Sequence, residues 1–197
     1  MLRELTAKDQ HELSFWRREG AREMPEHRRT LLAYMEWFGV RAADSVLEVG
    51  IGPGGGIIPH LPARRKVALD PLISEYVKDC GLILLPGIEY ATSRFEDWQT
   101  EETFDAIVST NTIDHGELGF HIMPRFRSLL KPGGRLYLHV HLRPEELLNT
   151  GHDHSLTVEQ LDEALIGSGL NELRREVLPA DLDGWPCPTL MGVWEAA

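Results

Sequence analysis

The chain has 197 residues, with 20 Lys and Arg against 31 Asp and Glu and a formal charge of -11. That size fits one domain with a core that needs no staples. The acidic balance, with basic residues scattered in short runs such as Arg17-Arg18, Arg28-Arg29 and Arg64-Arg65-Lys66, speaks against a nucleic-acid partner. Two distant cysteines, Cys80 and Cys187, match no zinc spacing and point to a reducing cytoplasmic setting. The charged start has no apolar core of a secretory signal, and no segment is apolar enough to span a membrane.

Residues 1 to 38 read as helical in two apolar runs. The first carries Leu13, Phe15 and Trp16; the second carries Leu31, Leu32, Met35, Trp37 and Phe38; Pro25 separates them and Gly39 closes the second. Such a leading segment packs beside a sheet or covers a cleft, and composition favours the core for Phe15 and Trp16. Val46 to Val49 read as a buried strand running into Gly50, Gly52, Gly54, Gly55 and Gly56. A turn of this kind uses positive φ or a missing Cβ to bring backbone close to a ligand. Which ligand is open at this point: Gly50, Gly52 and Gly55 fit G-x-G-x-x-G with Asp70 about 20 residues on, the dinucleotide fingerprint, while Glu48 with Gly50, Gly52 and Gly54 gives E-x-G-x-G-x-G.

Pro59 and Pro62 leave a short helix at most between Gly56 and Leu61. Lys66 to Leu69 form a second strand ending in Asp70, whose carboxylate can accept from vicinal ribose hydroxyls, cap a helix beginning at Pro71, or do both. A helix follows over Leu72 to Cys80, then strands over Ile88 to Thr92 and Phe104 to Ser109. An amphipathic helix ends at Lys131, turns through Pro132-Gly133-Gly134 and enters a strand over Leu136 to His141. Thr157 and Gln160 form a capping box for a helix over Val158 to Ile166, and Leu173 to Leu178 and Leu190 to Trp194 read as the two last strands.

Three stretches in order, E-x-G-x-G-x-G at 48 to 54, Phe104-Asp105 before an apolar strand, and Leu129-Leu130-Lys131-Pro132-Gly133-Gly134-Arg135-Leu136, resemble the class I S-adenosylmethionine-dependent methyltransferases over residues 40 to 170. The resemblance implies an α/β, doubly wound Rossmann-like sheet of seven strands, mostly parallel with the last antiparallel, and helices on both faces. It implies a single domain over 1 to 197, with 1 to 38 as a helical extension or lid. The implied cofactor is S-adenosylmethionine, with S-adenosylhomocysteine as product, held by Glu48, Gly50, Gly52, Gly54, Asp70 and Asn111. Ser93, Arg94 and Phe95 stand where the family meets adenine, with Ser93 in place of the acid that its members often carry first.

Ligands of open α/β sheets bind outside the carboxyl ends of the strands, where strand order reverses. The loop Asn111-Thr112-Ile113-Asp114-His115 then faces the acceptor. Histidine suits proton removal near neutral pH, so His115 is the first candidate base and His141 the second, with Asp114 orienting an imidazole or binding acceptor hydroxyls. His152 and His154 are expected at the same mouth. His139-x-His141 and His152-x-His154 invite a metal reading, but a histidine-bearing loop before a capped helix needs no metal, and none is expected. Ser109-Thr110-Asn111-Thr112-Ile113 departs from the Asn or Asp, Pro-Pro, aromatic run of members that methylate nucleobases or glutamine side chains. The expected partner is therefore a small-molecule acceptor, its nucleophile oxygen or nitrogen. The competing functions are a noncatalytic S-adenosylmethionine-binding regulator and a dinucleotide-dependent oxidoreductase, the latter at odds with the later motifs.

Overall fold

The computed structural model describes residues 4–116, 119–148, 152, 154–180 and 186–197. Helix α1 (Ala7–Phe38) opens on a reciprocal capping box between Thr6 and Asp9 and ends at left-handed Gly39, φ 54°. Pro25 lies inside this one helix and does not divide it, contrary to the sequence expectation. A proline removes one backbone donor, and here Leu13 before it and Leu31, Tyr34 and Phe38 after it are all buried, so packing holds the helix on both sides of the gap.

Strands β1 (Ala43–Val49), β2 (Ala63–Leu69), β3 (Glu89–Ala91), β4 (Phe104–Thr110), β5 (Leu130–His141), β6 (Leu170–Leu178) and β7 (Thr189–Ala196) form one seven-stranded sheet in the order β3-β2-β1-β4-β5-β7-β6. Neighbours from β3 to β5 are parallel, and β7 runs antiparallel to both β5 and β6. Six strands therefore share one direction, as expected.

Strands buried on both faces divide their side chains by the period of two. Val46, Ala68, Ala106, Val108, Tyr137 and Val193 face one way and pack with α1 and with α2 (Ile73–Asp79). Leu47, Val67, Ile107, Leu136, Leu138 and Trp194 face the other way and pack with α3 (Met123–Leu129) and α4 (Val158–Gly167). Helices thus cover both faces. Between β1 and β2 only a single 3₁₀ turn, Ile58–His60, stands where a doubly wound unit has its first crossover helix. Buried Ile57, Ile58 and Leu61 join the cluster under α1, which fills that layer.

The Phe104-Asp105 and Lys-Pro-Gly-Gly signatures have a common local cause. Asp105 accepts from the Ser45 N–H and hydroxyl, both at 2.9 Å, and from Lys131 Nζ at 2.8 Å, tying the starts of β1 and β4 to the entry of β5. The β4–β5 register slips between the Phe104–Leu130 and Ala106–Arg135 pairs, so Lys131 to Gly134 form an irregularity at the start of β5, and α3 ends at Leu129, two residues before the expected stop. A Cβ at Gly134 would stand 2.9 Å from the Lys131 carbonyl oxygen and 3.0 Å from that of Phe104, which only glycine avoids. Among the described residues, no helix is long and apolar enough to cross a membrane.

Candidate functional site

The strand order reverses between β1 and β4, and a cleft opens there at their carboxyl ends. Its floor and walls come from Gly50 to Pro53 after β1, Asp70 to Leu72 after β2, Ser93 to Glu96 after β3, and Thr110 to Ile113 with His115 after β4. Gly50 has φ 78°, and a Cβ on it would sit 2.2 Å from Thr112 Oγ1. Glycine at this point lets the β1 and β4 turns close on each other. The Thr112 hydroxyl lies 3.1 Å from the Val49 carbonyl and 3.0 Å from that of Thr110, which fixes the seam.

Asp70 joins the two nearest turns: Oδ2 accepts from the Gly52 N–H at 2.9 Å and Oδ1 from the Leu72 N–H at 2.8 Å. Burial pushes its carboxyl up to about 6, although these two donors favour the charged form. Each ionised oxygen has a second lone pair for a ligand. Asn111 is the single non-glycine residue with positive φ, 50°, among the described residues, and its buried Oδ1 has no hydrogen-bond partner there. Asparagine tolerates this left-handed backbone better than most residues, and the turn it makes sets its side chain on the cleft wall.

Glu48 and Gly54 are not on the cleft wall. Glu48 is fully buried, accepting from the Ile57 N–H at 2.9 Å and the Ile58 N–H at 2.6 Å, and burial pushes its carboxyl up to about 8 against those two bonds. A Cβ on Gly56 would be 2.4 Å from Glu48 Oε1, so the carboxylate and that glycine shape the loop together. A Cβ on Gly54 would stand 3.3 Å from Met24 Sδ and 3.4 Å from His27 Cδ2, so this glycine lets α1 approach.

In the segment after β3, Ser93 Oγ lies 3.0 Å from the Arg94 carbonyl, and Phe95 is packed on Phe126 at 4.6 Å between ring centres. Arg94 Nη2 donates to Thr6 Oγ1 at 2.9 Å and pairs with Asp9 Oδ1 at 3.1 Å, which fastens the start of α1 beside the cleft. A leading helix that packs beside the sheet or covers the cleft is expected from the sequence; the structure shows which of its residues reach the lining, namely Lys8, Asp9, Glu12, Trp16, His27 and Leu31. Trp16 Nε1 donates to Glu12 Oε1 at 2.6 Å across one helical turn. Phe15 is exposed, contrary to what composition suggested, whereas Trp16 is partly buried, packs against the cluster under α1 and also lines the cleft wall.

Among the proposed catalytic residues, His115 lines the cleft. Asp114 does not; it is fully buried, and His152 Nδ1 stands 2.8 Å and Arg143 Nε 3.3 Å from its Oδ2. Burial alone would raise this carboxyl, but His115, His152 and Arg143 hold it well below the usual carboxylate range. The imidazole that Asp114 orients is thus that of His152, whose ring lies 4.1 Å from that of His115. Asp153, which stands between His152 and His154 in the sequence, lies outside the described residues.

His141 is buried behind the cleft, its Nδ1 2.9 Å from Thr189 Oγ1, and is not part of the lining. His139 stacks on Tyr34 at 4.0 Å, and burial, reinforced by His141, keeps it neutral. The His139-x-His141 pair therefore has no access to a ligand. His154 packs on Gly119 at the rim and is not part of the lining, so of the four histidines expected at one mouth the structure brings His115 and His152 together. Among the described residues, the side chains grouped closely enough to hold a metal ion are Asp114, His115 and His152.

This sheet, with its cleft at the switch point, has the Rossmann-like architecture of class I S-adenosylmethionine-dependent methyltransferases. The sequence matches no protein-family model. It is similar to the ubiquinone biosynthesis O-methyltransferase of Xanthomonas axonopodis pv. citri (strain 306), 29% identical over 153 residues that cover 73% of this chain and 61% of that protein. The match therefore spans less than two thirds of the relative's length. A chain of a complex that contains the Haloferax volcanii Trm112 methyltransferase activator superposes with a TM-score of 0.73 at 18% identity, covering 93% of this chain and 97% of that one. The N-methyltransferase NodS of Bradyrhizobium japonicum WM9, solved with S-adenosyl-l-homocysteine, superposes with a TM-score of 0.66 at 19% identity, covering 87% and 86%. At these identities the solved structures establish the fold.

Proposed function

We propose that the protein transfers the methyl group of S-adenosylmethionine to an oxygen of a small-molecule acceptor. The observation that carries this reading is the convergence of Gly50, Gly52, Asp70 and Asn111 on one cleft at the strand-order reversal, with Gly52 already bonded to Asp70. In this reading the Asp70 carboxylate accepts from the ribose hydroxyls through its remaining lone pairs. Asn111 Oδ1 accepts from a donor of the same ligand. Ser93, Arg94 and Phe95 border the adenine, Gly50 and Gly52 let the chain approach, and Glu48 and Gly54 act through the shape of the loop.

When bound, S-adenosylmethionine supplies an electrophilic methyl carbon and leaves as S-adenosylhomocysteine. The protein's tasks are to align an acceptor oxygen in line with that carbon and to receive the proton it gives up. His115, on the cleft wall, takes that proton and later returns it to solvent. The choice of oxygen is supported by a histidine, His115, on the cleft wall where it can receive the proton an oxygen acceptor gives up, and by the activity named for the Xanthomonas relative. The glycines and Asp70 also suit a dinucleotide, so the discriminating experiment is calorimetric titration with S-adenosylmethionine, S-adenosylhomocysteine and NADH. Product formation across a panel of hydroxyl, carboxyl and amine compounds then separates an enzyme from a noncatalytic binder.

A further inference from the structure

Asp114 and His115 leave the end of β4, and His152 comes from the segment ahead of α4. Each offers one ligand atom, and those atoms all lie within 4.8 Å of one another. Ligand atoms about 2.0–2.2 Å from a tetrahedral zinc ion are roughly 3.3–3.6 Å apart, so the trio needs only modest side-chain adjustment to share an ion. His152 Nδ1 and Asp114 Oδ2 are 2.8 Å apart.

A second observation points the same way. Asp114 is fully buried and its contacts with His152 and Arg143 both fall on Oδ2, while Oδ1 has no hydrogen-bond partner among the described residues. A buried carboxylate oxygen with no donor is costly unless a positive group meets it. We propose that Asp114, His115 and His152 form a binding site for a divalent first-row transition ion such as Zn²⁺ or Co²⁺. One carboxylate and two imidazoles suit these ions, whereas Mg²⁺ and Ca²⁺ favour oxygen ligands throughout.

Three protein ligands leave a further coordination position, and because His115 lines the cleft that position is open to water or to an oxygen of a bound molecule. With the ion seated, the ligating nitrogen of His115 is committed, so ion binding and proton uptake at that nitrogen exclude one another. The site itself does not depend on the methyl-transfer reading.

The test is direct binding to the full chain after chelator treatment and removal of the chelator. Co²⁺ is titrated while its visible absorption is followed, then displaced by Zn²⁺. One saturable equivalent is expected, with affinity falling at least about tenfold in His115→Ala and in His152→Ala, the scale at which perturbing a metal centre is felt. His60→Ala, in the turn ahead of β2, should bind like the original chain. The two site histidines are only partly buried, so both variants should fold, as checked by melting temperature without metal. Absence of saturable binding by the original chain, or undiminished binding by either site variant, overturns the proposal.

Discussion

Two buried carboxylates carry opposite assignments in the same turn region. Asp70 faces the cleft and Glu48 does not, yet both hold backbone N–H groups of the glycine-rich loop. Asp70→Ala is expected to weaken S-adenosylhomocysteine binding by about 1.5 to 3 kcal/mol, the scale of charge-assisted hydrogen bonds, and Asp70→Asn by less, as read by calorimetry. Unchanged affinity in the folded alanine variant would leave Asp70 only its backbone bonds. Burial raises Glu48 from 4.5 to about 8, so between those values the native chain holds a proton that the unfolded chain has released. The stability linked to Glu48 is therefore fully present below about pH 4.5 and is lost as pH rises through 8. Urea unfolding should find Glu48→Gln destabilised at pH 5, where one N–H loses its acceptor, with the gap to the original chain narrowing at pH 8. A gap that widens would mean that the carboxylate is preferentially stabilised. At His115, alanine should lower turnover by roughly 10² to 10⁴ while leaving cofactor affinity unchanged; lost cofactor binding would move the residue to the donor side.

At the scale of elements, α1 is where sequence and structure diverge most. Its two apolar runs and its Gly39 stop were legible, but a lone proline was overvalued as a break, because the burial of Leu13, Leu31, Tyr34 and Phe38 is a tertiary fact. The same holds for its cleft-facing side: Glu12, Trp16 and His27 meet the β1 and β2 turns only once the helix lies across the sheet. The Arg94–Asp9 pair is nearly buried, with side-chain exposures of 10% and 5%. Removing Arg94 takes a charge-assisted contact from Asp9, which keeps its bonds to the Thr6 N–H and hydroxyl. Arg94→Ala should therefore speed amide exchange over residues 6 to 16 well before it affects β1 or β4. Equal protection in the variant would show that apolar packing alone holds the start of α1. By contrast, α4 and its Thr157–Gln160 box were readable from four residues, because capping is local.

For the whole molecule, the family resemblance carried by three ordered motifs sufficed for the sheet, including the antiparallel β7, and the reversal between β1 and β4 located the cleft. Sequence did not reveal which histidines share a mouth. His141 lies in β5, buried against Thr189 of β7 and off the cleft lining, while the partner of Asp114 comes from His152, 38 positions away. The central claim is that this cleft is built for S-adenosylmethionine. Its most direct test is calorimetric titration of the chain with S-adenosylhomocysteine, followed by displacement with S-adenosylmethionine and with NADH. The account predicts saturable binding of both adenosyl ligands at one mutually exclusive site and no displacement by NADH; tighter binding of NADH than of S-adenosylhomocysteine would contradict it.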